Sequence, residues 1–112
     1  MVVDDDDGVR EALGLALDTE GYEVQFARDG REALQSLARR PADLVIVDMR
    51  MPEVDGADFC RSYAQDGGTS PVILMSARTD QAVARGLPGV VETVAKPFDL
   101  EYLLELVARL IR

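Results

Sequence analysis

The chain has 112 residues, 21 acidic against 12 basic side chains and a formal charge of −9, a balance that argues against direct binding of nucleic acid or of an anionic membrane surface. At 47% hydrophobic it can bury a core as one domain over residues 1–112 without a disulfide or structural metal, and its single cysteine suits a reducing, cytoplasmic compartment. No apolar run approaches the ~18 residues of a membrane span, and no signal-peptide pattern opens the chain.

The apolar triplet Met1 to Val3 reads as a first strand, interrupted at once by four aspartates, Asp4 to Asp7. A run of charge this long exceeds what capping needs, and it is wedged between a strand and a helix rather than placed in a tail. Val9, Ala12, Leu13, Ala16 and Leu17 follow with the spacing of an amphipathic helix that stops at Gly21. Glu23 to Ala27 alternates like a strand, and Ala33, Leu34, Leu37 and Ala38 form a second helical stripe ended by Pro41. Leu44 to Val47 is a continuous apolar run, as expected of a parallel strand buried on both faces. A loop with Pro52 and Gly56 leads into a short helix around Phe59 to Ala64, where Cys60 reads as a small core residue. Val72 to Met75 is the fourth strand, Asp80 to Arg85 a weak helix cut off by Gly86, Pro88 and Gly89, and Glu92 to Ala95 the fifth strand. Asp99 caps a closing helix striped by Leu100, Leu103, Leu104, Val107, Leu110 and Ile111. Five strands alternating with five helices predict an α/β, doubly wound parallel sheet in the order 2-1-3-4-5 with helices on both faces.

The polar residues fall in a pattern. Asp4 and Asp5 follow strand one, Asp48 strand three, Ser76 strand four and Lys96 strand five. In an open parallel sheet these carboxyl ends share one edge, where ligands bind beside the switch in strand order. Taken singly, Asp4 or Asp5 would be a cap, Ser76 a loop hydroxyl and Lys96 a solvated charge. Together they describe a site. Clustered carboxylates repel unless a cation lies among them, and hard oxygen ligands without histidine favour Mg²⁺. A dication on one side and Lys96 on the other suit a phosphoryl group, with Ser76 as donor and an aspartate able to form an acyl phosphate.

These residues also resemble a known family over essentially the whole chain, the receiver domain of bacterial two-component response regulators. VVDD at Val2 to Asp5 resembles its acidic pair, VDMRMPEVDG at Val47 to Gly56 its phosphoacceptor loop, ILMSA at Ile73 to Ala77 its hydroxyl motif and AKPF at Ala95 to Phe98 its lysine-proline motif. The resemblance implies a (βα)5 flavodoxin-like fold and a signalling domain rather than an enzyme. It implies that Asp48 accepts the phosphoryl group, that Asp5, Asp48 and the backbone carbonyl of Arg50 bind Mg²⁺, and that Asp4 assists through water. Ser76 and Lys96 would contact phosphoryl oxygens, and the Lys96–Pro97 bond would be cis. Asp6 and Asp7 match no ligand of the family and read as a helix start. The implied partners are a sensor histidine kinase or phosphotransfer protein, and a second copy through the face of helix four, strand five and helix five. With no histidine in this chain and no GxxxxGK[ST] loop for ATP, the phosphoryl donor is external. The chain departs from the family at Thr93, a switch position usually held by Tyr or Phe, and by one or two residues fewer between Ser76 and Lys96.

A rival belongs to another class. Asp5 to Val9 also reads as DxDGV, which resembles the nucleophile loop of haloacid-dehalogenase-type phosphatases, with Asp5 as nucleophile and Asp7 as acid/base. That reading leaves Asp48 without a role, and it needs a further acidic motif beyond Lys96, where the closing helix lies.

Overall fold

The computed structural model describes residues 1–111. Its strands are β1 (Val2–Val3), β2 (Phe26–Ala27), β3 (Val45–Asp48), β4 (Val72–Ser76) and β5 (Val90–Ala95), and its helices α1 (Asp7–Thr19), α2 (Gly30–Arg39), α3 (Gly56–Gln65), α4 (Gln81–Arg85, after a 3-10 turn at Arg78–Asp80) and α5 (Leu100–Ile111). All strand pairs are parallel, in the order β2-β1-β3-β4-β5.

Side chains alternate across the sheet with period two, which divides the core into two layers. Val45, Val47, Val72 and Leu74 face one way, against Ala33 and Leu37 of α2, Phe59 and Cys60 of α3 and Ala84 of α4. Ile46, Ile73, Met75 and Val94 face the other, against Leu13 and Leu17 of α1 and Leu103, Leu106 and Val107 of α5. Aspartate caps set where several helices begin: Asp6 accepts from Val9 N–H at 3.1 Å, Asp29 from Glu32 N–H at 2.8 Å, and Asp55 from Asp58 N–H at 2.9 Å. Asp99 accepts from Glu101 N–H at 3.0 Å. Each bond satisfies a donor that the first turn leaves without a partner. Gly21 follows α1 at φ 94°, a left-handed turn that glycine adopts without a Cβ clash.

Several boundaries differ from the sequence reading, most by a single residue, and three of the larger shifts have a clear cause. β2 covers only the last two residues of Glu23 to Ala27, because its partner β1 offers two residues for pairing. α3 begins at Gly56 rather than near Phe59, since Asp55 caps it. β5 begins at Val90, with Val72 opposite Val90 but Ile73 opposite Glu92. The extra residue, Val91, is a bulge that the alternation pattern cannot anticipate.

Cys60 is buried between the sheet and α3, and that burial pushes its thiol up to about 11 from the ordinary 9.0. Thiolate is then about a hundredfold scarcer than in an exposed cysteine at mildly alkaline pH. We expect a disulfide reagent to leave Cys60 unmodified in the folded chain and to react fully after unfolding in denaturant.

Candidate functional site

The register of the sheet assembles the site. Val3 pairs with Val47, so Asp4 and Asp48 leave neighbouring strands at the same level. Asp48 pairs with Met75, one residue before Ser76, and Ser76 pairs with Ala95, one residue before Lys96. One oxygen from each of Asp4, Asp5 and Asp48 lies within 4.8 Å of the others. Lys96 Nζ stands 2.8 Å from Asp48 Oδ1 and 3.5 Å from Asp4 Oδ2.

The three carboxylates differ in surroundings. Asp4 is fully buried, its Oδ1 accepts from Asp6 N–H at 2.9 Å, and its carbonyl accepts from Arg10 Nη1 at 2.8 Å. Asp5 is exposed beside it. Asp48 is buried at the end of the central strand. Burial pushes its pKa up and the nearby Asp4 and Asp5 charges add to that, while the Lys96 ammonium pulls it down without cancelling the rise. Burial alone would lower the Lys96 pKa, but its bond to Asp48 and the charges of Asp48 and Asp4 outweigh this and hold it above its usual value.

Charge decides what the site accepts. Two carboxylates about 4 Å apart repel by about 4 kcal/mol at an effective dielectric of about 20. Three carboxylates against one ammonium leave two formal negative charges in excess, and the donors are all oxygens. A small hard dication matches both the charge and the donor set.

Around this centre, Ser76 is buried at the end of β4, and its Oγ accepts from Gln81 Nε2 at 2.5 Å. Thr93 lies on β5 opposite Leu74, half-buried. The Lys96–Pro97 bond is cis. The Arg50 side chain turns to Asp80, with Nη2 3.0 Å from Oδ2, and so ties the loop after Asp48 to the turn before α4. Asp7 lies on the outside of α1, paired with Arg10. The rival phosphatase reading needs Asp7 as acid/base beside Asp5, and this ion pair engages it elsewhere. Three residues that carry polar contacts here, Arg10, Asp80 and Gln81, were not marked by any sequence motif. Their partners are six, thirty and five residues away, and only the fold brings them together. Two clefts of about 240 and 260 Å³ lie elsewhere, at the amino ends of the strands and between α2 and α3, and none of the site residues lines either.

Comparison with known proteins agrees with this geometry. The response regulator receiver domain family matches residues 1–108. The chain is 40% identical over 114 residues to the response regulator MprA of Mycolicibacterium vanbaalenii, aligning over 100% of itself and 49% of that protein. Against MprA of Mycobacterium leprae it is 39% identical, over 100% of itself and 50% of that protein. The chain thus spans about half the length of the curated relatives it matches. Among solved structures, the receiver domain of a Francisella response regulator superposes with a TM-score of 0.91 at 26% identity, covering 98% of this chain and 93% of that one. The chemotaxis response regulator CheY4 of Vibrio cholerae gives 0.88 at 29% identity, covering 97% and 94%.

Proposed function

The chain belongs to the response regulator receiver domains, signalling modules rather than enzymes in the ordinary sense, and we propose that Asp48 is its phosphoacceptor. The observation that carries this is the placement of Asp48, buried on the central strand with two further carboxylates within 4.8 Å and Lys96 Nζ at 2.8 Å. A carboxylate oxygen of Asp48 attacks the phosphorus of an external donor, an O–P bond forms, and the donor's bond to phosphorus breaks with its electron pair leaving on the donor. Lys96 holds Oδ1 and balances the charge that the phosphoryl oxygens bring. Asp5, Asp48 and the Arg50 carbonyl would hold Mg²⁺, with Asp4 acting through water. When bound, Mg²⁺ draws charge from the phosphoryl oxygens. Ser76 donates to a phosphoryl oxygen, and Thr93 occupies the switch position on β5.

The donor we propose is a cognate histidine kinase or a phosphotransfer protein. Residues 1–112 form one receiver domain, and its phosphorylation controls an output carried elsewhere. α4, β5 and α5 expose Val83, Val91, Leu100 and Tyr102, an apolar face suited to a second copy of the chain. Among the described residues no helix is long and apolar enough to cross a membrane. A cytoplasmic setting belongs to the same proposal, supported by the free thiol of Cys60.

The test is the intact mass after incubation with acetyl phosphate and Mg²⁺. A gain of one phosphoryl group, labile to hydroxylamine, is expected, and no gain would overturn the proposal. The metal assignment has its own test. Asp5→Asn should weaken Mg²⁺ binding by about tenfold or more, because it removes a ligand charge. Asp7→Asn should change it little, since Asp7 pairs with Arg10 outside the site. Titrations followed by amide shifts would compare the two, and equal losses would shift the assignment along the aspartate run.

A further inference from the structure

Ser76 is 1% exposed, and its side-chain bond runs to the first residue of α4: Gln81 Nε2 donates to Ser76 Oγ across 2.5 Å. A serine hydroxyl has one proton and two lone pairs. The Gln81 amide occupies a lone pair and leaves the proton available. The Ser76 carbonyl meanwhile accepts from Lys96 N–H at 2.9 Å, which fixes the backbone from the β5 side.

We propose that Gln81 is a positioning residue for phosphoryl recognition, its amide holding Ser76 Oγ so that the hydroxyl proton is presented to a phosphoryl oxygen on Asp48. This rests on the reading of Asp48 as phosphoacceptor. A serine χ1 has three staggered wells, and a fixed partner on Oγ selects one of them. Hydrogen bonds in series also polarise one another, so the bond accepted from Gln81 strengthens the bond donated to phosphate. The coupling is reciprocal, because a phosphoryl group that engages Ser76 tightens the bond to Gln81 in turn. α4 has only five residues, and the turn before it is tied to the acceptor loop through Asp80 and Arg50. Gln81 therefore gives α4 a direct contact with the site in a chain whose position 93 is threonine rather than an aromatic residue.

The experiment is a titration of the whole chain with beryllofluoride and Mg²⁺, followed by amide chemical shifts. Gln81→Met keeps side-chain length and helix propensity but removes the donor, and should weaken binding by about three- to tenfold. Gln81→Glu puts an acceptor and a negative charge in the same place, captures the Ser76 proton, and should weaken it further. In a Ser76→Ala background Gln81→Met should have no additional effect, whereas a merely structural role in α4 would cost the same in both backgrounds. Gln81→Met binding within twofold of wild type, or an equal loss without Ser76, overturns the proposal. If the unmodified chain fails to bind beryllofluoride, or Asp48→Asn binds it equally well, the phosphoacceptor reading itself falls and this inference falls with it.

Discussion

Asp48→Asn is expected to take up no phosphoryl group from acetyl phosphate and Mg²⁺ while the unmodified chain gains one, a loss of at least about a hundredfold in initial rate. The substitution is nearly isosteric, and the amide oxygen can still accept from Lys96, whose second partner, Asp4, remains at 3.5 Å. The fold should therefore survive, with far-UV circular dichroism unchanged. What disappears is the nucleophile, because an amide oxygen has neither the charge nor the basicity of a carboxylate. Asp5 cannot take over in place, since Lys96 is bonded to Asp48 and Asp4 and the exposed Asp5 lies at the margin of the cluster. Intact mass measured over time would show the loss. An undiminished adduct that peptide mapping places on Asp5 would transfer the acceptor role to the first strand and revive the phosphatase reading.

The aspartates show how much of this site could be read from the sequence. Asp4, Asp5 and Asp48 each directly follow or close an apolar strand run, and a parallel sheet sends all such ends to one edge. Asp6, Asp29, Asp55 and Asp99 instead precede helical stripes, and each caps its helix through a backbone N–H. Local position separates the two sets, and it made Asp4, Asp5, Asp48, Asp6 and Asp99 legible. Asp29 and Asp55 stand further ahead of their helices' apolar stripes and gave no such signal, which is why α3 starts earlier than expected. Ser76 and Lys96 were legible for the same reason, as the residues that end β4 and follow β5. The Arg10 contact to the Asp4 carbonyl, the Arg50–Asp80 pair and the Gln81–Ser76 bond depend on how helices sit over the edge, and nothing in residue spacing encodes that. The bulge at Val91 escaped for a related reason, since a valine that fits the alternation of a strand gives no sign of being its extra residue.

Gly56→Ala should damage fold and function together, through space rather than backbone freedom. Gly56 is the first residue of α3 and is not among the glycines with positive φ, and alanine is intrinsically the better helix former by about 1 kcal/mol. A Cβ at this position, however, would lie 2.6 Å from the Asp48 carbonyl oxygen and 2.8 Å from Met49 Cα, with Leu74 Cδ1 at 3.1 Å. The first two are main-chain atoms and cannot rotate away. Gly56 N–H also donates to the Met49 carbonyl at 3.0 Å, so α3 is held against the back of the acceptor loop. To admit the methyl group, either α3 moves outward and loosens Phe59 and Cys60 in the core, or the Asp48–Met49 backbone shifts and carries the carboxylate away from Lys96. Overpacking of this kind costs about 1–3 kcal/mol or more, which outweighs the gain in propensity. At the upper end of that range, as the main-chain clash implies, the net loss is about 2 kcal/mol and Tm should fall by about 8 °C for a domain of this size. Phosphorylation by acetyl phosphate should also slow by about tenfold, because reacting groups tolerate little misplacement. Gly86→Ala provides the contrast: its nearest neighbour is the Val83 carbonyl oxygen at 3.6 Å, an ordinary contact, so Tm should move little. Thermal unfolding and phosphorylation rates of the two variants decide the matter. A Gly56→Ala chain that melts and reacts like the unmodified one would mean that α3 does not press on the acceptor loop, and the placement of Asp48 would then need another support.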